Sequence, residues 1–218
     1  MALPYHALKL LEPHLRNASI LSLGYPDIMA SSDQLREIFG YTPARFTTGN
    51  KWIKYPVPDS EELCQKLGSK LTIVDYVSER GCEIVANMNE PHDLGKFDLV
   101  IDPGTLEHCF NIGQAMMNAA NAVKLGGRIF HISPMSMINH GFYNLCPTWF
   151  SDFYEQNGWT IESFAVVALA DPVCKLTDRF TTTVEHLIRV VAQRKTDAAL
   201  HFPIQSKYLQ KHEKKEAA

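Results

Sequence analysis

The sequence predicts an α/β protein built on a doubly wound, mostly parallel sheet. Two observations carry this. Between Lys96 and Pro134 a short apolar run, a helical pattern and a second apolar run follow one another. That is a βαβ unit, and its crossover is expected to be right-handed. Outside it, Ser19–Gly24, Leu71–Asp75 and Cys82–Val85 are further short runs of strand character separated by helical patterns, as in a sheet covered on both faces.

Within the central unit, Phe97–Ile101 is dominated by apolar residues and Asp102-Pro103-Gly104 stops it. Ile112, Met116, Ala119, Ala120 and Val123 fall at helical spacing with one face turned inward. Gly126-Gly127 is expected to end that helix, since glycine tolerates positive φ. Arg128–Ile132 is the next strand. Ligands in such sheets sit beyond the carboxyl ends of the strands, which puts Asp102–His108 and His131–His140 around one crevice.

The other elements follow in order. Tyr5–Arg16 is expected to be a short helix despite Pro13, with Leu8, Leu11 and Leu15 on one face. Ser31 or Ser32 caps a helix running to about Phe39. Gly40–Asp59 is long for a connection and rich in aromatics and proline, with Arg45, Lys51, Trp52 and Lys54 making it basic. It reads either as a surface insertion packed by its own aromatics or as a substrate-covering lid. Asp59 or Ser60 caps a helix to about Leu67. Asp75 closes the second strand, where a carboxylate can accept from two ribose hydroxyls or simply face solvent. Pro147 suits the first position of a helix to Gln156, whose Trp149, Phe150, Phe153 and Tyr154 read as core. Trp159–Ala168 and Thr181–Gln193 are the last two strands. Residues 1–195 form one domain, and the charged tail 196–218 is expected to end in disorder.

Composition excludes several function classes. The net charge of −3 gives no basis for a nucleic-acid or membrane surface. The longest apolar run, Phe164–Ala170, is far too short to span a bilayer. Met1–Arg16 is amphipathic and broken by Pro4 and Pro13, unlike a signal peptide. The five cysteines form no CxxC pair, which points to a reducing cytoplasm and mostly buried free thiols. No HxH or HExxH spacing supports a metal site, and no G-x-S-x-G elbow supports a hydrolase.

FDLVIDPGTLEHCFN, followed by a helix and VKLGGRIFHISP, resembles the fourth- and fifth-strand region of class I S-adenosylmethionine-dependent methyltransferases. NHGFYNLCPTWFSDFYEQNGW is similar to a segment of methyltransferase-like proteins of sugar and polysaccharide gene clusters. The resemblance spans roughly Ser19–Lys195. It implies a Rossmann-like sheet of seven strands with an antiparallel last strand, and S-adenosyl-L-methionine as cofactor. Gly24 then occupies the glycine-rich turn, where the family has three close glycines and this chain has one. Asn87 and Met88 fall where the family contacts adenine, and Asp102 and Glu107 where it places acidic residues after the fourth strand.

Methyl transfer to oxygen or nitrogen is an in-line displacement that requires aligned reactants and often a base. The base candidates are His108, His131 and His140. His140 comes first, because it lies in a polar loop beside Asn139 and Gly141 and an imidazole titrates near neutrality; a structural loop histidine is the alternative. His131 reads as a satisfied core residue. Tyr143 and Asn139 are placed to hold a small polar acceptor, such as a sugar. A homodimer is permitted. Two function classes remain open: a cytoplasmic small-molecule methyltransferase, or a catalytically inactive binding or assembly module of the same fold, which the lone Gly24 motivates.

Overall fold

The structure is a computed structural model; it describes residues 2–48, 55–137, 139–168, 173–175, 185–206 and 208–209. In chain order the elements are β1 (Ala2–Pro4), α1 (Tyr5–Leu11), β2 (Ser19–Leu23), β3 (Asp27–Met29), α2 (Ser32–Phe39), β4 (Phe46–Thr48), β5 (Pro56–Pro58) and α3 (Ser60–Lys66). There follow β6 (Lys70–Asp75), β7 (Ile84–Val85), β8 (Phe97–Asp102), α4 (Ile112–Asn121), β9 (Val123–Pro134), α5 (Pro147–Gln156), β10 (Thr160–Ala168), β11 (Val173–Lys175) and β12 (His186–Gln193).

The main sheet has the order β11-β10-β12-β9-β8-β2-β6-β7. From β7 to β9 every pairing is parallel, with Ile20 opposite both Leu71 and Leu99 and Asp102 opposite His131. β12 runs antiparallel to β9 and β10, with Val190 opposite His131. The seven predicted strands and the antiparallel last strand are therefore present. A short eighth, β11, adds to β10 at the edge.

Alternation along the strands feeds two cores. Leu21, Leu23, Val100, Ile129, Ile188 and Val190 face α4 and α5, where Met116, Phe150, Phe153 and Tyr154 close the layer. Ile20, Leu99, Ile101, Phe130 and Val191 face the other way, against Leu8 and Leu11 of α1, Leu35 of α2 and Leu63 of α3. A sheet buried on both sides explains why its strands read as near-continuous apolar runs.

Local chemistry sets the helix starts. Ser31 and Gln34 form a capping box at α2, and Gly40 ends that helix at φ +69. Asp59 accepts from the Glu62 amide at α3, and Pro147 opens α5. Two expected boundaries move. The first helix stops at Leu11 and continues as a 3-10 turn, Glu12–His14, because Pro13 has no amide to donate. The central helix ends at Asn121, not at the glycine pair: Val123 already pairs with Phe97, and Gly126-Gly127 lies inside β9. A Cβ on Gly127 would stand 3.0 Å from the carbonyl oxygens of Asp98 and Lys124, so the close strand approach requires glycine there.

The 40–59 segment contains a small antiparallel hairpin, β4 with β5. Arg45 is tied back to Asp59 and Glu62, while Lys51, Trp52 and Lys54 lie outside the described residues, as does the terminal HEKKEAA. The start of the tail lies along α5: Gln156 donates to the Ile204 carbonyl at 2.6 Å, and Ser206 donates to Asp152 at 2.7 Å. Cys64 and Cys109 are buried, but Cys82 and Cys146 are exposed, so burial holds for only half of these free thiols. Among the described residues no helix is long and apolar enough to cross a membrane.

Candidate functional site

The parallel strands deliver Gly24, Asp75, Val85, Asp102 and Pro134 to one rim of the sheet. Four of the loops that leave this rim are stitched together. The Gly24 amide donates to the Val74 carbonyl at 2.6 Å, and the Thr105 hydroxyl donates to the Leu23 carbonyl. The Phe142 amide donates to the Glu107 carbonyl at 2.8 Å. The loops after β2, β6, β8 and β9 thus form one continuous edge.

On the first half of that edge, Gly24 adopts φ +79, the conformation its tight turn requires. Tyr25 then turns inward and is 3% exposed. Its hydroxyl accepts from the Ser60 amide at 3.3 Å, and burial drives its pKa up. The Arg80 guanidinium lies 3.8 Å from the centre of the Tyr25 ring and 2.7 Å from Asp27. Its Nε is buried with no hydrogen-bond partner. Asp75 is partly buried; its Oδ1 accepts from the Tyr76 amide at 2.7 Å, and desolvation raises its pKa. Asn87 organises its own turn, accepting from Asn89 and donating to Glu90. Met88 is 5% exposed and packs into the core beside α4.

Asp102 points into the protein. Its Oδ1 accepts from the Thr105 and Leu106 amides, and its Oδ2 lies 2.8 Å from His131 Nδ1. His131 Nε2 meets the Tyr154 hydroxyl. All three residues are fully buried. This chain of polar groups, spanning β8, β9 and α5, satisfies the core histidine that the sequence anticipates and props the turn that follows Asp102.

That turn, Leu106–His108, presents two of the expected residues in opposite ways. Glu107 is 1% exposed, whereas His108 is exposed. The loop after β9 folds back over them, with Asn139 at φ +61 and the Tyr143 hydroxyl donating to the Phe110 carbonyl at 2.8 Å. His140 Nε2 arrives 3.7 Å from Glu107 Oε1, and its ring centre lies 5.2 Å from that of His108. Burial pushes the Glu107 carboxyl up; the neighbouring Glu107 carboxylate pushes the His140 imidazole up; desolvation pulls the His108 imidazole down. Gly141 permits the approach, since a Cβ there would stand 2.8 Å from the Glu107 carbonyl oxygen and 3.1 Å from His108 Nδ1.

The structure therefore gathers Glu107, His108 and His140 into one cluster with Asn139 and Tyr143 on its loop, and puts Gly24 and Asp75 on the adjoining rim. Asn87, Met88 and Asp102 have side chains engaged within the protein. Sequence reasoning missed Arg80, a cation five positions past Asp75 in the same turn. It also missed the exposed pair Phe110 and Phe142, which meet edge to face at 5.5 Å. Each stands two residues beyond a clustered histidine, a repeated His-x-aromatic spacing that was open to notice.

No protein-family model matches the chain, and no curated protein matches its sequence. Solved structures do resemble it. TehB from Haemophilus influenzae superposes with a TM-score of 0.52 at 12% identity, over 87% of this chain and 60% of that one, so the present chain spans well under two thirds of TehB. The 1,6-didemethyltoxoflavin-N1-methyltransferase of Burkholderia thailandensis, solved with S-adenosylhomocysteine, gives 0.52 at 15% identity over 86% and 76% of the two chains. The [4+2]-cyclase SpnF gives 0.50 at 10% identity over 87% and 81%. At these identities the likeness establishes the fold: the chain has the Rossmann-like architecture of S-adenosylmethionine-dependent methyltransferases.

Proposed function

We propose that this protein is an S-adenosyl-L-methionine-dependent methyltransferase acting on a small polar acceptor in the cytoplasm. The observation that carries the reading is the meeting, on one rim, of the strand-end carboxylate of Asp75 beside Gly24 and a histidine–carboxylate pair at His140 and Glu107.

The residues present fit the cofactor. Asp75 would accept from the vicinal ribose hydroxyls, and the Gly24 turn would admit the chain of the amino acid moiety. Arg80, with its buried and unpartnered Nε, would meet that moiety's carboxylate. The Asn87–Met88 turn would border the base. When bound, the cofactor supplies a sulfonium methyl for in-line displacement.

The chain's own residues handle the acceptor. Glu107 Oε1, 3.7 Å from His140 Nε2, would stabilise the imidazolium that forms when His140 takes the acceptor's proton as its oxygen or nitrogen attacks. His140 is 40% exposed at the side chain, so an acceptor reaches it from solvent. Tyr143 and Asn139 on the same loop position the acceptor's polar groups. The exposed Phe110–Phe142 pair supports a sugar ring as acceptor, since its C–H face packs on aromatic edges and faces.

Calorimetric titration of the full chain with S-adenosylmethionine and S-adenosylhomocysteine tests the cofactor, and mass spectrometry of a polar-metabolite acceptor panel tests the transfer. Saturable binding and a product heavier by one methylene support the reading; absence of binding overturns it. The second reading, a binding module without catalysis, is favoured by one feature: Tyr25 and Arg80 crowd the single-glycine turn. It predicts no methylated product from any acceptor and no loss of function in His140→Ala.

A further inference from the structure

We propose that Glu107, His108 and His140 form a binding site for a divalent transition-metal ion of the zinc type. The proposal goes beyond methyl transfer and does not depend on it. One ligand atom from each residue lies within 4.8 Å of the others, and the Glu107–His140 separation is 3.7 Å. In a tetrahedral zinc site with bonds of about 2.0–2.1 Å, neighbouring ligand atoms stand about 3.3 Å apart. Small rotations of the two exposed imidazoles would close the remaining gap, because neither ring is packed in a core.

The second observation is the state of the carboxylate. Glu107 is 1% exposed, and its Oε2 is buried with no hydrogen-bond partner. A buried carboxylate oxygen without a partner is costly, and a metal ion is one of the few partners that would repay it. The backbone is shaped around this carboxylate. A Cβ on Gly104 would stand 2.9 Å from Glu107 Oε1, and one on Gly141 would press on His108 Nδ1 at 3.1 Å. Two neutral imidazoles and one carboxylate form a donor set suited to zinc and other ions that prefer imidazole, and less suited to magnesium or calcium, which take oxygen. Three protein ligands leave a coordination position open. Phe110 and Phe142, each exposed and two residues past a histidine of the cluster, meet edge to face, and an acceptor oxygen would complete the sphere. Coordination there would lower the pKa of a hydroxyl, whose proton would pass to solvent. In the loaded protein His140 is a ligand, and in the metal-free protein it is the base described above.

The test uses the full chain stripped with chelator and titrated with Co2+, followed by its d–d absorption, with Zn2+ calorimetry in parallel. One ion per chain is expected, with binding weakened at least about 10-fold in His108→Ala and about 100-fold in His140→Ala and Glu107→Gln. His201→Ala, exposed and bonded through its backbone to Asn157 at the end of α5, should bind as wild type. His108 is exposed, so its variant stays informative if the buried Glu107→Gln chain fails to fold. No saturable binding below about 100 μM, or equal binding in every variant, overturns the site. Cofactor titration of the same samples separates the two readings: cofactor binding without Co2+ binding removes only the metal site, and the converse removes only the methyltransferase.

Discussion

Oδ2 of Asp102 lies 2.8 Å from Nδ1 of His131, and neither residue exposes any surface. The sequence places both near a ligand crevice. In the folded protein Asp102 turns inward, away from a ligand, to meet the core histidine that the sequence anticipates, and the pair becomes the support beneath the crevice, with Tyr154 as the third member. Asp102 holds the turn that carries Glu107 and His108, so the site above rests on this buried chain.

Removing one link should cost stability in proportion to the partners orphaned. Tyr154→Phe leaves His131 Nε2 unpaired and is expected to destabilise by about 1–3 kcal/mol. Asp102→Ala strands His131 and two turn amides and should cost more. Thermal and urea unfolding check the order, and a Tyr154→Phe protein as stable as wild type would refute it.

Asp75→Ala is expected to weaken S-adenosylhomocysteine binding by roughly 10- to 100-fold, the loss of charge-assisted hydrogen bonds worth about 1.5–3 kcal/mol. Asp75→Asn should lose less, because it keeps one acceptor. Circular dichroism should be unchanged in both, since the side chain bonds only locally to its neighbouring turn. Calorimetry reads the outcome.

Glu62 gives a prediction for pH. The Tyr41 hydroxyl foremost, then the Ala44 and Arg45 amides, hold its carboxyl down to about 2 from 4.5. A lowered folded-state pKa contributes stability that is full above 4.5 and is lost as pH falls through 2. Wild type should therefore exceed Glu62→Gln by on the order of 1–2 kcal/mol at neutral pH. The gap should narrow below pH 4.5 and be nearly gone at pH 2. A gap that stays constant from pH 7 to pH 3 would contradict it.

Gly141→Ala should act on chemistry more than on cofactor affinity. Its Cβ would press on the Glu107 carbonyl and His108 Nδ1, pushing the His140 loop off the cluster. Turnover is expected to fall at least about 10-fold, since small misplacements of reacting groups are costly, while S-adenosylhomocysteine binding stays near wild type. Equal turnover would show that the loop's closeness to Glu107 is not used.

The amino-acid sequence by itself determined the alternation of strands and helices, the rim to which they deliver their loops, and the gathering of His108 and His140 near Glu107. Those properties follow from local signals: apolar runs, Ser31 and Asp59 as caps, Pro147 at a helix start. Helix ends were less legible, because the pairing of Val123 with Phe97 overrides a glycine pair that locally reads as a stop. Side-chain direction belonged to the tertiary structure. Whether Asp102 faces ligand or core depends on His131, which stands opposite it only through the register of β8 with β9. Whether Arg80 is a free surface cation or a lid over Tyr25 depends on Asp27, far away in the chain. Contacts of that kind leave no periodic trace, since they depend on packing between elements and not on the order of residues within one.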